Sequence, residues 1–247
     1  MRLLTLNLSG GLANRMKPLA SALGLGLLPD IWWDSSFTWN DVKSSHRQAF
    51  HGDYCDYFEN NLTTVFCQPS KPDNHFIQNE EQVLGTWKFL KTDEFDYDGL
   101  DLEPGDYRRK ILFDGFAKLR PNYKILTTVD SWGDRLKDVT GIHVRMHHPD
   151  WFPLETYIYA LKQVSGEILV VSDDKESADE IRSNFKDRVI LFEKDYSIDE
   201  TMKSRSNLIE MYLLAKCKRY YWPSFSTFSE LPYWISQGRA KRIRLTM

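Results

Sequence analysis

Cysteine is scarce in this 247-residue chain. Cys55, Cys67 and Cys217 are odd in number and lack C-x-x-C spacing, which argues against a disulfide framework and a zinc knuckle and makes reduced thiols the expectation. Charge of one sign is also lacking. The 32 Lys and Arg against 35 Asp and Glu leave a net −3, so no global field draws nucleic acid or an anionic membrane surface. No apolar run approaches the length of a membrane span, and no charged segment followed by an apolar one opens the chain. A soluble, cytoplasmic protein is the expectation, and Asn61-Leu62-Thr63 then reads as a chance match to a glycosylation acceptor. Internal repeats and low-complexity stretches are missing, as are G-x-G-x-x-G and G-x-x-x-x-G-K-[ST], so neither a nicotinamide enzyme nor a P-loop NTPase is supported.

What is present is a globular composition with an aromatic surplus. Hydrophobic residues make up 42% and charged residues 27%, both ordinary, whereas aromatics at 14% with eight Trp are high, and sugar-binding clefts often use such rings. The length suits two α/β domains, placed at 1–120 and 121–247. The first half opens as strand 3–8, helix 12–27 and strand 30–33, the start of a βαβ unit. From 34 to 105 the pattern breaks into short apolar pieces such as 62–66 and 75–78, and residues 105–137 read as two helices broken near Pro121. The second half alternates strands 139–145, 168–172, 189–192 and 219–222 with helices near 153–164, 175–185, 201–216 and 227–237. Such alternation predicts a mainly parallel sheet covered on both faces, with 242–245 either a last strand or a segment packed against the first domain.

Candidate site residues follow from two rules. A glycine turn between a strand and a helix start brings backbone N–H groups close to an anion, so Gly10 and Gly11, with Asn14 and Arg15 in the helix start, form a candidate phosphate cradle. The same glycines serve equally to start a helix. In open parallel sheets, ligands bind at the carboxyl ends of the strands. There the sequence sets Arg145, a planar fork of donors suited to phosphate, after His143, which reads by default as a hydrogen-bonded core residue. It also sets Asp173 and Asp174, acceptors for ribose hydroxyls or base N–H groups, of which Asp174 can also cap the next helix. Ser224, Phe225, Ser226 and Thr227 precede the last helix, where Thr227 with Glu230 has the form of a capping box and the flanking hydroxyls suit a second phosphate cradle. Leu208, Met211, Tyr212 and Ala215 define the core face of the preceding helix and put Arg205 and Glu210 on other faces. His143 and His147 share no face on a strand followed by a turn, so no metal site is expected.

Taken in order, Gly10-Gly11-Leu12-Ala13-Asn14-Arg15-Met16, His143-Val144-Arg145, Ser172-Asp173-Asp174 and the Glu210 helix followed by Ser224-Phe225-Ser226-Thr227-Phe228 resemble the motifs of a fucosyltransferase superfamily. It includes protein O-fucosyltransferases, core α1,6-fucosyltransferases and the rhizobial nodulation-factor fucosyltransferases. The resemblance is clear over 7–27 and 141–237. It implies a GT-B-like enzyme: two Rossmann-like domains facing a cleft, the second binding a GDP-sugar, with inversion at the sugar, no metal and no cofactor beyond the donor. By the same resemblance Arg145 binds the β-phosphate, Asn14 faces the donor across the cleft, and Asp173 and Asp174 recognise the nucleoside. Glu210 matches an acidic residue of the family, and Ser226 with its neighbours matches a phosphate-contacting segment. Met146 stands where many relatives carry a second basic residue. The implied partners are GDP-fucose and a glycan or glycoconjugate acceptor. The competing readings are a transferase using another nucleotide sugar, including a Mn²⁺-dependent GT-A enzyme with Asp96-Tyr97-Asp98 as its D-x-D triplet, and a noncatalytic nucleotide-sugar or glycan-binding protein.

Overall fold

Strands alternating with helices build two parallel sheets. The computed structural model describes residues 5–8, 12–26, 30–33, 36–40, 47–59, 64–66, 106–146, 152–194, 196, 200–223 and 226–246. Its first sheet is three-stranded and parallel in the order β1 (Thr5–Leu8), β2 (Asp30–Trp33), β5 (Thr64–Phe66), with Thr5 opposite Asp30 and Asp30 opposite Thr64. Helix α1 (Leu12–Gly24) crosses from β1 to β2. Between β2 and β5 the chain makes an antiparallel ribbon of β3 (Ser36–Asn40) and β4 (Arg47–His51), a feature the sequence reading does not anticipate. Gly10, Gly11, Ser224, Phe225, residues 75–78 and the Asp96-Tyr97-Asp98 triplet lie outside the described residues.

Helices α2 (Tyr107–Lys118) and α3 (Tyr123–Ser131) follow, started by the side chains of Asp106 and Asn122, which accept from Arg108 N at 2.8 Å and Ile125 N at 3.1 Å. The break between them falls at Pro121, as the sequence predicts. Two glycines let α1 and α2 meet at backbone distance: a Cβ on Gly115 would lie 1.7 Å from the Ala20 carbonyl oxygen, and one on Gly24 2.0 Å from that of Ile111.

The second sheet has five parallel strands: β6 (Thr140–Val144), β7 (Ile168–Ser172), β8 (Val189–Leu191), β9 (Arg219–Trp222) and β10 (Lys241–Arg244). They lie in the order β10-β9-β6-β7-β8. The four crossovers use α4 (Leu154–Lys162), α5 (Lys175–Phe185), α6 (Glu200–Lys216) and α7 (Thr227–Ile235). Period-two alternation distributes the strands' side chains: Ile168 and Val170 join a core with Tyr157, Leu161 and Ile181 of α4 and α5, while Leu169 and Val171 join the larger core with Leu208, Leu231 and Trp234 of α6 and α7. That larger core also takes in Met16, Leu19 and Trp33 from the first half, so α1 packs onto α7. The last segment joins the sheet, with Lys241 opposite Arg219. Among the described residues, no helix is long and apolar enough to cross a membrane.

Candidate functional site

The strand order fixes where a ligand crevice forms. From β6 the chain moves outward through β7 to β8, then returns across α6 to β9 on the other side, so the order reverses between β6 and β9. At such a switch point the loops leaving the two strands diverge and open a crevice at their carboxyl ends. Arg145 leaves β6 there, and α7 starts there after β9.

Arg145 is held in place by its neighbours. Its Nη1 lies 2.9 Å from Asp173 Oδ2, with the two side chains 22% and 16% exposed, so the pair is sheltered yet still reached by solvent. The other oxygen of Asp173 accepts from Met146 N at 2.9 Å, and one carboxylate thereby ties both the side chain and the turn that carry the arginine. From α4, the Tyr157 hydroxyl sits 3.4 Å from both the amide nitrogen and the carbonyl oxygen of Arg145, and burial pushes this phenol up to about 12. Asp174 takes the capping role: its Oδ2 accepts from Ser177 N at 2.8 Å and from Ser177 Oγ at 2.6 Å, which starts α5.

His143 points from β6 to the α7 side of the sheet. It is stacked on Phe228 at 4.5 Å between ring centroids and hydrogen-bonded through Nδ1 to Ser229 Oγ. Burial, with the positive charges of Arg145 and Lys194, holds its pKa well below the usual histidine value, so the ring is neutral at pH 7. Tyr220 of β9 adds a bond from its hydroxyl to the Ser229 carbonyl at 2.9 Å. These contacts fix the first turn of α7 beside β6.

That turn departs from the capping-box expectation. Ser226, not Thr227, occupies the cap position, and its side chain makes no capping bond. Glu230 is instead drawn fully inside, where its carboxylate accepts from Lys17 of α1 at 2.8 Å and from Trp234 Nε1 at 2.7 Å. A buried carboxylate is stabilised by charged and indole donors that replace water. The buried Ser226 hydroxyl therefore sits at a helix start whose dipole favours an anion.

On α6, Glu210 is buried and paired with Lys194 at 2.8 Å, both side chains being 2% exposed. Burial raises its pKa, with the Lys194 charge and hydrogen bond opposing and Asp173 adding to the rise. Arg205 reaches from α6 to Asp56 in the short turn Tyr54–Asp56 of the first half.

In the first half, Asn14 is half-buried in the opening turn of α1. Pro18, one turn on, lacks the N–H that normally bonds the Asn14 carbonyl. Arg15 is fully buried with its guanidinium 4.9 Å over the Trp33 ring, in a cluster that includes Tyr54, Tyr57 and Phe58. The structure thus gathers Arg145, Asp173, Glu210 and His143 around the carboxyl ends of β6 and β7, places Ser226 at the start of α7, and sends Arg15 into an aromatic core. No group of three or more His, Cys, Asp or Glu suited to a metal occurs among the described residues.

No protein-family model matches this sequence, and no curated protein matches it. Solved structures do. The NodZ α-1,6-fucosyltransferase of Bradyrhizobium, crystallised with GDP, superposes with a TM-score of 0.58 at 18% identity, covering 97% of this chain and 93% of that one. This chain shares the fold of that solved structure. POFUT1 in complex with GDP-fucose aligns at 0.53 with 10% identity over 99% of both chains. An Arg-to-Lys mutant of Arabidopsis thaliana FUT1 with GDP aligns at 0.56 with 16% identity over 99% of this chain and 70% of that one.

Within this fold, sequence reasoning misses Tyr157, Lys194 and Ser229. Lys194 was within reach of the rule that found Arg145: it lies three residues past β8, at the same edge of the sheet. Tyr157 and Ser229 carry no local signal, since each is a polar tip on an otherwise apolar helix face.

Proposed function

We propose that this chain is an inverting, metal-independent glycosyltransferase that moves fucose from GDP-fucose to a glycan hydroxyl. The observation that carries the reading is the Arg145 and Asp173 pair at the switch point of the five-stranded sheet, beside the start of α7. GDP and GDP-fucose are the ligands named for the similarly folded NodZ and POFUT1.

In this proposal the donor diphosphate lies between Arg145 and the first amides of α7, with the Ser226 hydroxyl alongside. Bond cleavage at the sugar leaves charge on the departing GDP, and the guanidinium and amide dipoles stabilise it where it develops. Asp173 keeps the guanidinium aimed before the donor arrives, and the Asp173 and Asp174 turn lies next to the nucleoside. The cleft and the division into 1–120 and 121–247 belong to the same proposal. The cleft is supported by the ion pair of Asp56 with Arg205 near the start of α6, which brings the first half toward the carboxyl edge of the second sheet. Asn14 then faces the donor from the first half.

The test is GDP release from GDP-fucose over a panel of oligosaccharide acceptors. Arg145→Ala is expected to fold as wild type and lose about 10²–10³ in turnover, the effect of removing one donor to developing charge. Near-wild-type turnover by Arg145→Ala would sink the assignment.

A further inference from the structure

Beneath the crevice lies a buried cation that the donor-site argument does not use. Lys194 donates to Glu210 Oε2 at 2.8 Å and to the Ser172 carbonyl at 3.1 Å, with the Tyr196 ring 5.3 Å away. It thereby joins the end of β7, the segment leaving β8, and α6. The Ser172 carbonyl needs such a donor because β8 is too short to supply one. Pairing between β7 and β8 ends at Val170 opposite Leu191, while β7 runs on to Ser172. Past the end of the ladder the Lys194 ammonium takes the place of a strand amide.

The next residue is Asp173, which grips the Arg145 guanidinium and the Met146 amide, each at 2.9 Å. The contacts therefore run unbroken from Glu210 through Lys194, the Ser172 peptide and Asp173 to Arg145. A buried ion pair is a poor source of stability, since apolar residues of similar volume often replace one without loss. Its place under the switch point gives it a different use. Resting on the GDP-sugar reading above, we propose that Lys194 is a positioning residue: it sets the direction of the Ser172–Asp173 peptide and through it the aim of Arg145 at the donor diphosphate.

The test compares GDP affinity, by calorimetry, with melting temperature in wild type and in Lys194→Met/Glu210→Met, which removes both charges at similar volume. The proposal expects the double variant to melt within a few degrees of wild type and to bind GDP at least tenfold more weakly. Wild-type affinity in a folded double variant overturns the positioning role alone, whereas a wild-type protein that binds no GDP overturns the donor reading and this inference together. Should the double variant not fold, Lys194→Arg and Lys194→Gln decide the matter at a temperature where both are folded. Arg retains the charge and the reach to the Ser172 carbonyl and is expected to bind GDP at least tenfold more tightly than the shorter Gln, and equal affinities overturn the proposal.

Discussion

Lys17→Met is predicted to be among the most damaging single changes away from the Arg145 crevice. Lys17 and Glu230 lie 213 residues apart in sequence and meet at 2.8 Å between α1 and α7, with side chains 6% and 0% exposed. Methionine keeps the length of the chain but leaves the Glu230 carboxylate buried beside the Trp234 indole. Breaking one side of a buried pair costs about 3–5 kcal/mol, because the remaining charge has lost both water and partner. Unfolding entropy of about 2.1 cal/mol/K per residue gives roughly 0.5 kcal/mol/K for 247 residues, so the loss corresponds to about 6–10 °C in melting temperature. Differential scanning calorimetry at pH 7 measures it. Lys17→Met/Glu230→Gln removes the buried charge while retaining an acceptor for Trp234, and should recover more than half of the loss. A Lys17→Met protein melting within about 1 °C of wild type would refute the reasoning.

Two further outcomes follow from the packing. Gly115→Ala gains up to about 1 kcal/mol of helix propensity but forces α1 from α2 against backbone, so a net loss of about 2 kcal/mol or more is expected by urea titration. Unchanged or greater stability would contradict the close helix contact. For His143 the folded-state pKa is depressed below the unfolded value, so its contribution is fully present above about pH 6.5 and is lost as pH falls toward the folded pKa, by at most about 1.4 kcal/mol per unit. Melting curves from pH 7 to 5 should therefore fall more steeply for wild type than for His143→Asn, and parallel curves would contradict a buried neutral ring.

The second half is legible because its strands alternate regularly with helices: β7 matches residues 168–172 and β9 residues 219–222 as read from the sequence. The edge rule that selected Arg145 and Asp173 finds them together at 2.9 Å. The ribbon of β3 and β4 escapes because its connection, residues 41–46, carries none of the Asn-Gly or Asp-Gly signals that mark a tight hairpin. Glu230 misleads for another reason. Three residues after Thr227 it satisfies a local capping pattern, yet the partner that decides its position lies on α1, and no local rule weighs a charge so distant in sequence. Arg15, a cation in the glycine-turn motif, lies over the Trp33 ring in the fold.

The central claim is that the Arg145 crevice takes a GDP-sugar and transfers its sugar. The most direct measurement is calorimetric titration of the wild-type protein with GDP, UDP and dTDP, repeated with Arg145→Ala. Selective binding of GDP by wild type, weakened at least tenfold in Arg145→Ala, is the result the account predicts. Preference for UDP or dTDP, or GDP binding that is indifferent to Arg145, would contradict it.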